Sequence, residues 1–137
     1  MVNVDTNGSS PTMLRRLINE GLVDYIAMDV KAPLKRYRET VRAEVNIDNI
    51  EESIELIKAG GIDYEFRITA VPGLTNEEDL MEIAQMLESS KRFVIQQFIP
   101  ERTLDETFKG ITPYPLERLD EFRQRMTPFF RECKLRY

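Results

Sequence analysis

Four short runs of the chain alternate or cluster apolar residues in the manner of β-strands: residues 2–5, 24–30, 65–71 and 92–99, each rich in Val, Ile, Phe or Tyr. Between them the period changes. Ser10 stands as an N-cap and Pro11 as the first helical residue. Met13, Leu14, Leu17 and Ile18 then form one apolar stripe that Gly21 closes. Ile47, Ile50, Ile54 and Ile57 recur at helical spacing up to Gly60-Gly61. Thr75 and Glu78 have the spacing of a capping box, followed by Leu80, Ile83, Ala84 and Leu87 on one face. A fourth helix is predicted from Pro115, aligning Leu116, Leu119, Phe122 and Met126, and residues 134–137 read as a last short strand. Residues 31–46 fit neither period and read as a loop with a short helix.

Strand and helix therefore alternate along a single domain, residues 1–137, with no linker and no low-complexity tract. Alternation of this kind predicts parallel strands joined by right-handed crossovers, in an open doubly wound sheet or in a barrel. In either case ligands bind at the carboxyl ends of the strands, so the polar residues there carry the chemistry. The first strand ends Asp5-Thr6-Asn7-Gly8. The second ends Met28-Asp29-Val30-Lys31, with Asp29 and Lys31 on one face at period two. The third carries Arg67 and Thr69 on one face before Pro72-Gly73, and the fourth ends Gln96-Gln97-Phe98. A charge in an apolar strand needs a partner or a ligand. A neutralising network among Asp29, Lys31 and Arg67 is the structural reading; a ligand site is the functional one.

Composition narrows the chemistry. The chain has one cysteine, Cys133, and no histidine, which excludes an internal disulfide, a Cys/His metal site and a histidine general base. Its net charge of −5 argues against a nucleic-acid-binding surface. Lys35, Arg36, Arg38 and Arg42 form a local basic cluster, either a solvated face or a contact for an anionic partner. No apolar run has the roughly 20 residues of a membrane helix. No secretory signal pattern opens the chain, so a cytoplasmic location is expected.

Three motifs in order are similar to one family: Asp5-Thr6-Asn7-Gly8, then residues 24–31 (DYIAMDVK), then residues 67–73 (RITAVPG). Over residues 2–105 the chain resembles the radical S-adenosylmethionine enzymes, in particular the activating enzymes of pyruvate formate-lyase and of anaerobic ribonucleotide reductase. The resemblance implies a (βα)4 slice of a partial TIM-type barrel, supplying the carboxyl-terminal strands. It also implies a CxxxCxxC loop for a 4Fe–4S cluster and a Gly-Gly-Glu motif, neither of which the chain contains. A cluster is therefore not expected here, and S-adenosylmethionine binding is expected to be weak or lost.

By the same resemblance Asp5, Thr6, Asn7, Asp29, Lys31, Arg67 and Gln97 are the expected cofactor-binding residues. Asp5, Thr6 and Asp29 would hold a monovalent cation, since hard oxygens suit a hard ion. The family's protein substrate is a glycyl-radical enzyme, from which a 5′-deoxyadenosyl radical abstracts hydrogen; this chain alone is expected to be inactive. Two other readings stand beside it. One is an aldolase-like enzyme with Lys31 as Schiff-base nucleophile, which requires a desolvated amine. The other is a non-catalytic docking module using the basic segment 36–42. A four-stranded slice would leave the strands at residues 2–5 and 92–99 as open edges, so a two-fold homodimer is expected.

Overall fold

A computed structural model describes residues 1–37, 46–102 and 106–137. Five strands form one sheet: β1 (Asn3–Thr6), β2 (Tyr25–Asp29), β3 (Asp63–Ala70), β4 (Arg92–Gln97) and β5 (Glu132–Arg136). Every neighbouring pair is parallel, and the spatial order is the chain order, β1-β2-β3-β4-β5. With right-handed crossovers, that order places the connecting helices on one face of the sheet, as in a barrel and unlike a doubly wound sheet. Among the described residues the α-helices are α1 (Pro11–Asn19), α2 (Ile47–Ala59), α3 (Glu77–Met86) and α4 (Leu116–Met126).

The strand count corrects the four-stranded expectation. Residues 132–136 pair with β4 from Arg92↔Glu132 to Gln96↔Arg136, so β4 is interior and the outer strands are β1 and β5. The charged residues Glu132, Lys134 and Arg136 mask the alternation that marks a strand, which is why only its end was legible.

Alternation sorts the sheet into two chemically distinct faces. Ile26, Met28, Tyr64, Phe66, Ile68, Ala70, Phe93, Ile95 and Cys133 face the helices and join one core with Leu14, Ile50, Ile54, Ile57, Leu80, Ile83, Leu87, Leu119, Phe122 and Met126. Each such large side chain contributes about 1.5–3 kcal/mol by leaving water. The opposite face carries Asp5, Tyr25, Asp29, Glu65, Arg67, Thr69, Arg92 and Gln96. Where this face is apolar, at Ala27 and Val94, it is still buried.

Two local expectations shift. Met13 is 50% exposed, because α1 turns Leu14 rather than Met13 into the core. The capping box is made one residue later, by Asn76 and Asp79: Asn76 Oδ1 accepts the Asp79 N–H at 2.8 Å and Asp79 Oδ2 accepts the Asn76 N–H at 3.3 Å. Thr75 is buried instead. Its N–H donates to the Val71 carbonyl at 2.8 Å and its own carbonyl accepts the Tyr114 hydroxyl at 2.7 Å.

Candidate functional site

At the carboxyl ends of β1 and β2, beside the middle of the longer β3, the helix-free face gathers an acid–base–acid triad. Asp29 and Arg67 are register partners on adjacent strands, and the Arg67 Nε–H donates to Asp29 Oδ1 at 2.6 Å. The other side of the guanidinium reaches Asp5 Oδ2 at 3.3 Å. Burial opposes charge on Arg67, but the two carboxylates outweigh it and hold the guanidinium pKa above its usual value. The Arg67 side chain is only 15% exposed, against 32% for Asp29 and 71% for Asp5. The triad therefore has a sheltered cation and an open acidic rim.

Next to it, Thr69 Oγ1 donates to Gln96 Oε1 at 3.3 Å. Gln97, by alternation, lies on the helix side, where its Nε2 donates to the Tyr114 carbonyl at 3.2 Å. Thr6 likewise falls on the face opposite Asp5, and its Oγ1 accepts the Gly8 N–H at 3.0 Å. Asn7 closes the same turn, its Oδ1 accepting the Ser9 N–H at 2.9 Å. Lys31 lies just past β2 with its side chain exposed, while its backbone N–H donates to the Tyr37 hydroxyl at 3.0 Å. The fold thus brings Asp5, Asp29 and Arg67 together, with Lys31 at the rim, and turns the side chains of Thr6 and Gln97 away. Between Asp5 and Asp29, where a cation would sit, the Arg67 guanidinium stands.

The turn carrying Asp5 is pinned from behind. Gly8 has φ +77, a left-handed conformation that glycine adopts without strain. Its carbonyl accepts the buried Ser53 hydroxyl from α2 at 2.7 Å. A side chain at Gly8 would lie 2.3 Å from Met28 Cε. No residue larger than glycine fits beneath this turn without displacing Met28.

The lower part of the same face holds a second network that sequence reading missed. The Tyr25 hydroxyl donates to Glu65 Oε1 at 2.7 Å and accepts from Arg92 at 3.0 Å. Arg136 of β5 reaches Glu65 Oε2 at 3.1 Å, and Arg92 Nε donates to Glu132 at 2.8 Å. Burial, then the Glu65 bond, push the Tyr25 hydroxyl pKa up, and Glu132 foremost raises that of Arg92. Glu65, 5% exposed, is thereby matched by partners on two strands, Tyr25 of β2 and Arg136 of β5. The available signal was Glu65, Arg67 and Thr69 at period two within one run.

The basic cluster is partly neutralised within the fold. Lys35 Nζ contacts Glu82 at 2.9 Å and Arg36 pairs with Asp79, both acids on α3. Arg38 and Arg42 lie outside the described residues. Among the described residues no helix is long and apolar enough to cross a membrane, and no cluster of His, Cys, Asp and Glu is arranged to hold a metal.

Residues 1–87 match the sequence profile described as the Radical SAM superfamily. Over 127 residues, 90% of this chain, the sequence is 35% identical to a protein of Methanocaldococcus jannaschii named "Putative glycyl-radical enzyme activating enzyme". The match covers 52% of that protein, so the chain spans about half the length of the curated relative it matches.

Proposed function

Because this chain belongs to the radical S-adenosylmethionine superfamily, we propose that it is part of an enzyme that activates a glycyl-radical enzyme, working in the cytoplasm. The observation that carries the reading is the Asp5–Arg67–Asp29 triad, two acids at the carboxyl ends of parallel strands joined by a guanidinium from the next strand. Its two carboxylates and one guanidinium sum to a single negative charge. Each carboxylate also keeps one oxygen, Asp5 Oδ1 and Asp29 Oδ2, unengaged among the described residues. Such a donor set fits the cationic, hydroxyl-bearing S-adenosylmethionine.

When bound, S-adenosylmethionine supplies the radical chemistry of the family. The contribution of this chain is positional. Asp29 and Asp5 accept hydrogen bonds from ammonium or hydroxyl groups, Arg67 holds the two acids apart, and Lys31 offers positive charge at the rim. A 4Fe–4S cluster does not fit the residues present. One thiol cannot complete a thiolate set, and Cys133 faces the helices, its thiol pushed up to about 11 by burial. The exposed Lys31 side chain also lacks the desolvation that a Schiff-base nucleophile requires.

Titration of the chain with S-adenosylmethionine, followed by amide chemical shifts, tests this. The expected result is binding weaker than about 1 mM that shifts residues around Asp5, Asp29 and Arg67 and disappears in Asp29→Ala. Micromolar binding unchanged by Asp29→Ala would overturn it. Self-association belongs to the same proposal. The outer edge of β1 is unpaired among the described residues and invites a second copy. Sedimentation at high micromolar concentration is expected to show a dimer, and a monomer there removes that part.

A further inference from the structure

The hydrogen-bond ladder of β2 runs one residue beyond the strand, with the Val30 N–H donating to the Arg67 carbonyl at 2.8 Å. The next N–H, that of Lys31, has left the sheet and would be lost to water or left unpaired. It is taken instead by the Tyr37 hydroxyl at 3.0 Å. Tyr37 is 2% exposed, and its ring packs in the core with Val30 and Ala32. Between donor and acceptor, Pro33 opens a single 3-10 turn, Leu34–Arg36, closed by the Arg36 N–H on the Pro33 carbonyl at 2.9 Å. Phenylalanine would fill the same space; the hydroxyl is what reaches the backbone.

We infer that Tyr37 is a positioning residue of the site proposed above. Its ring is fixed in the core and its hydroxyl fixes the Lys31 backbone. The backbone is therefore held two residues beyond Asp29, where β2 delivers that carboxylate to Arg67. A tyrosine hydroxyl has one proton and two lone pairs. Here a lone pair holds Lys31, and the proton has no acceptor among the described residues. Burial pushes the hydroxyl pKa up, the Lys31 N–H opposes it and the charge of Asp29 adds to the rise.

Amide hydrogen exchange on the whole chain decides the matter. In the wild type the Lys31 amide is expected to be protected. In Tyr37→Phe it is expected to exchange at least about tenfold faster, a deficit of about 1.4 kcal/mol, while Ile68 and Ile95 amides keep their rates. Lys31→Ala, which retains the backbone N–H, is expected to keep the protection. An unprotected Lys31 amide in the wild type, unchanged protection in Tyr37→Phe, or an equal acceleration throughout the sheet would each overturn the inference. The positioning role rests on the cofactor reading only for its purpose, and the two fail separately. If S-adenosylmethionine binds the wild type, Tyr37→Phe is expected to weaken it about fivefold or more. If it does not bind but only Lys31 loses protection, the cofactor reading falls and the positioning stands.

Discussion

Arg67 and Asp29 are 38 residues apart in sequence and meet at 2.6 Å as register partners on adjacent strands. Their exposure differs sharply from that of the third member, Asp5, and stability should follow that difference. Asp29→Ala removes the closest partner of a sheltered guanidinium and is expected to cost about 1.5–3 kcal/mol. Asp5→Ala, at an exposed and screened position, is expected to cost less than about 1 kcal/mol. Urea unfolding of the two variants measures both, and equal losses would show that exposure does not rank these contacts.

The position of the α3 cap gives a second expectation. Asn76→Ala should destabilise by about 1 kcal/mol, since its side chain closes the first turn. Glu78→Ala should stay within about 0.5 kcal/mol, because its side chain is exposed and makes no capping bond. Asp79→Ala should exceed both, because Asp79 closes the box and also pairs with Arg36. Thermal melts of the three variants give the order.

The sequence carried the fold well wherever one face of an element is apolar. The isoleucine spacing of α2 and the runs around β2, β3 and β4 announced themselves. The failures have physical causes. Thr75-Asn76 and Glu78-Asp79 offer two cap registers of identical spacing, and only the burial of Thr75 under Tyr114 selects the second. In β5 the solvent-side charges hide the strand. The site was legible as residue types at strand ends. Which way each side chain turned was settled by alternation, and that separated Gln96 from Gln97 and Asp5 from Thr6. Tyr25, Glu65 and Arg92 escaped because their partners come from strands up to 71 residues apart.

Gly8 offers a steric test. Gly8→Ala places a methyl group against Met28, a fully buried side chain, at a backbone angle that alanine disfavours. A loss of about 2 kcal/mol is expected. Adding Met28→Ala should remove the clash but not the backbone strain. A double-mutant cycle is therefore expected to show positive coupling between the two sites; strict additivity would exclude the contact.

Cys133 sets an alkaline limit. Burial is the main cause holding its thiol up at about 11, above the ordinary value of 9.0. The unfolded chain therefore releases the proton first, so stability is full below pH 9 and declines as pH rises through about 11. At ~1.4 kcal/mol for each pH step between those two values, the loss amounts to about 2–3 kcal/mol. It should be smaller in Cys133→Ala, where the raised tyrosines Tyr25, Tyr37 and Tyr114 still contribute. Unfolding curves of both proteins between pH 8 and about 11.5 provide the comparison. At pH 8 the native thiol should react slowly with disulfide reagents.

The order β1-β2-β3-β4-β5 also bears on how the molecule forms. Each strand meets the one synthesised just before it, across connections of 18, 33, 21 and 34 residues, so no pairing waits for a segment beyond the next crossover. Assembly can proceed as a zipper from any adjacent pair, each added strand extending a register already set by the last. Parallel sheets are ordinarily slow to form because their pairings are distant. Here that delay is confined to one crossover at a time, and the central strand β3, with a neighbour on either side, is where the zipper has least to undo.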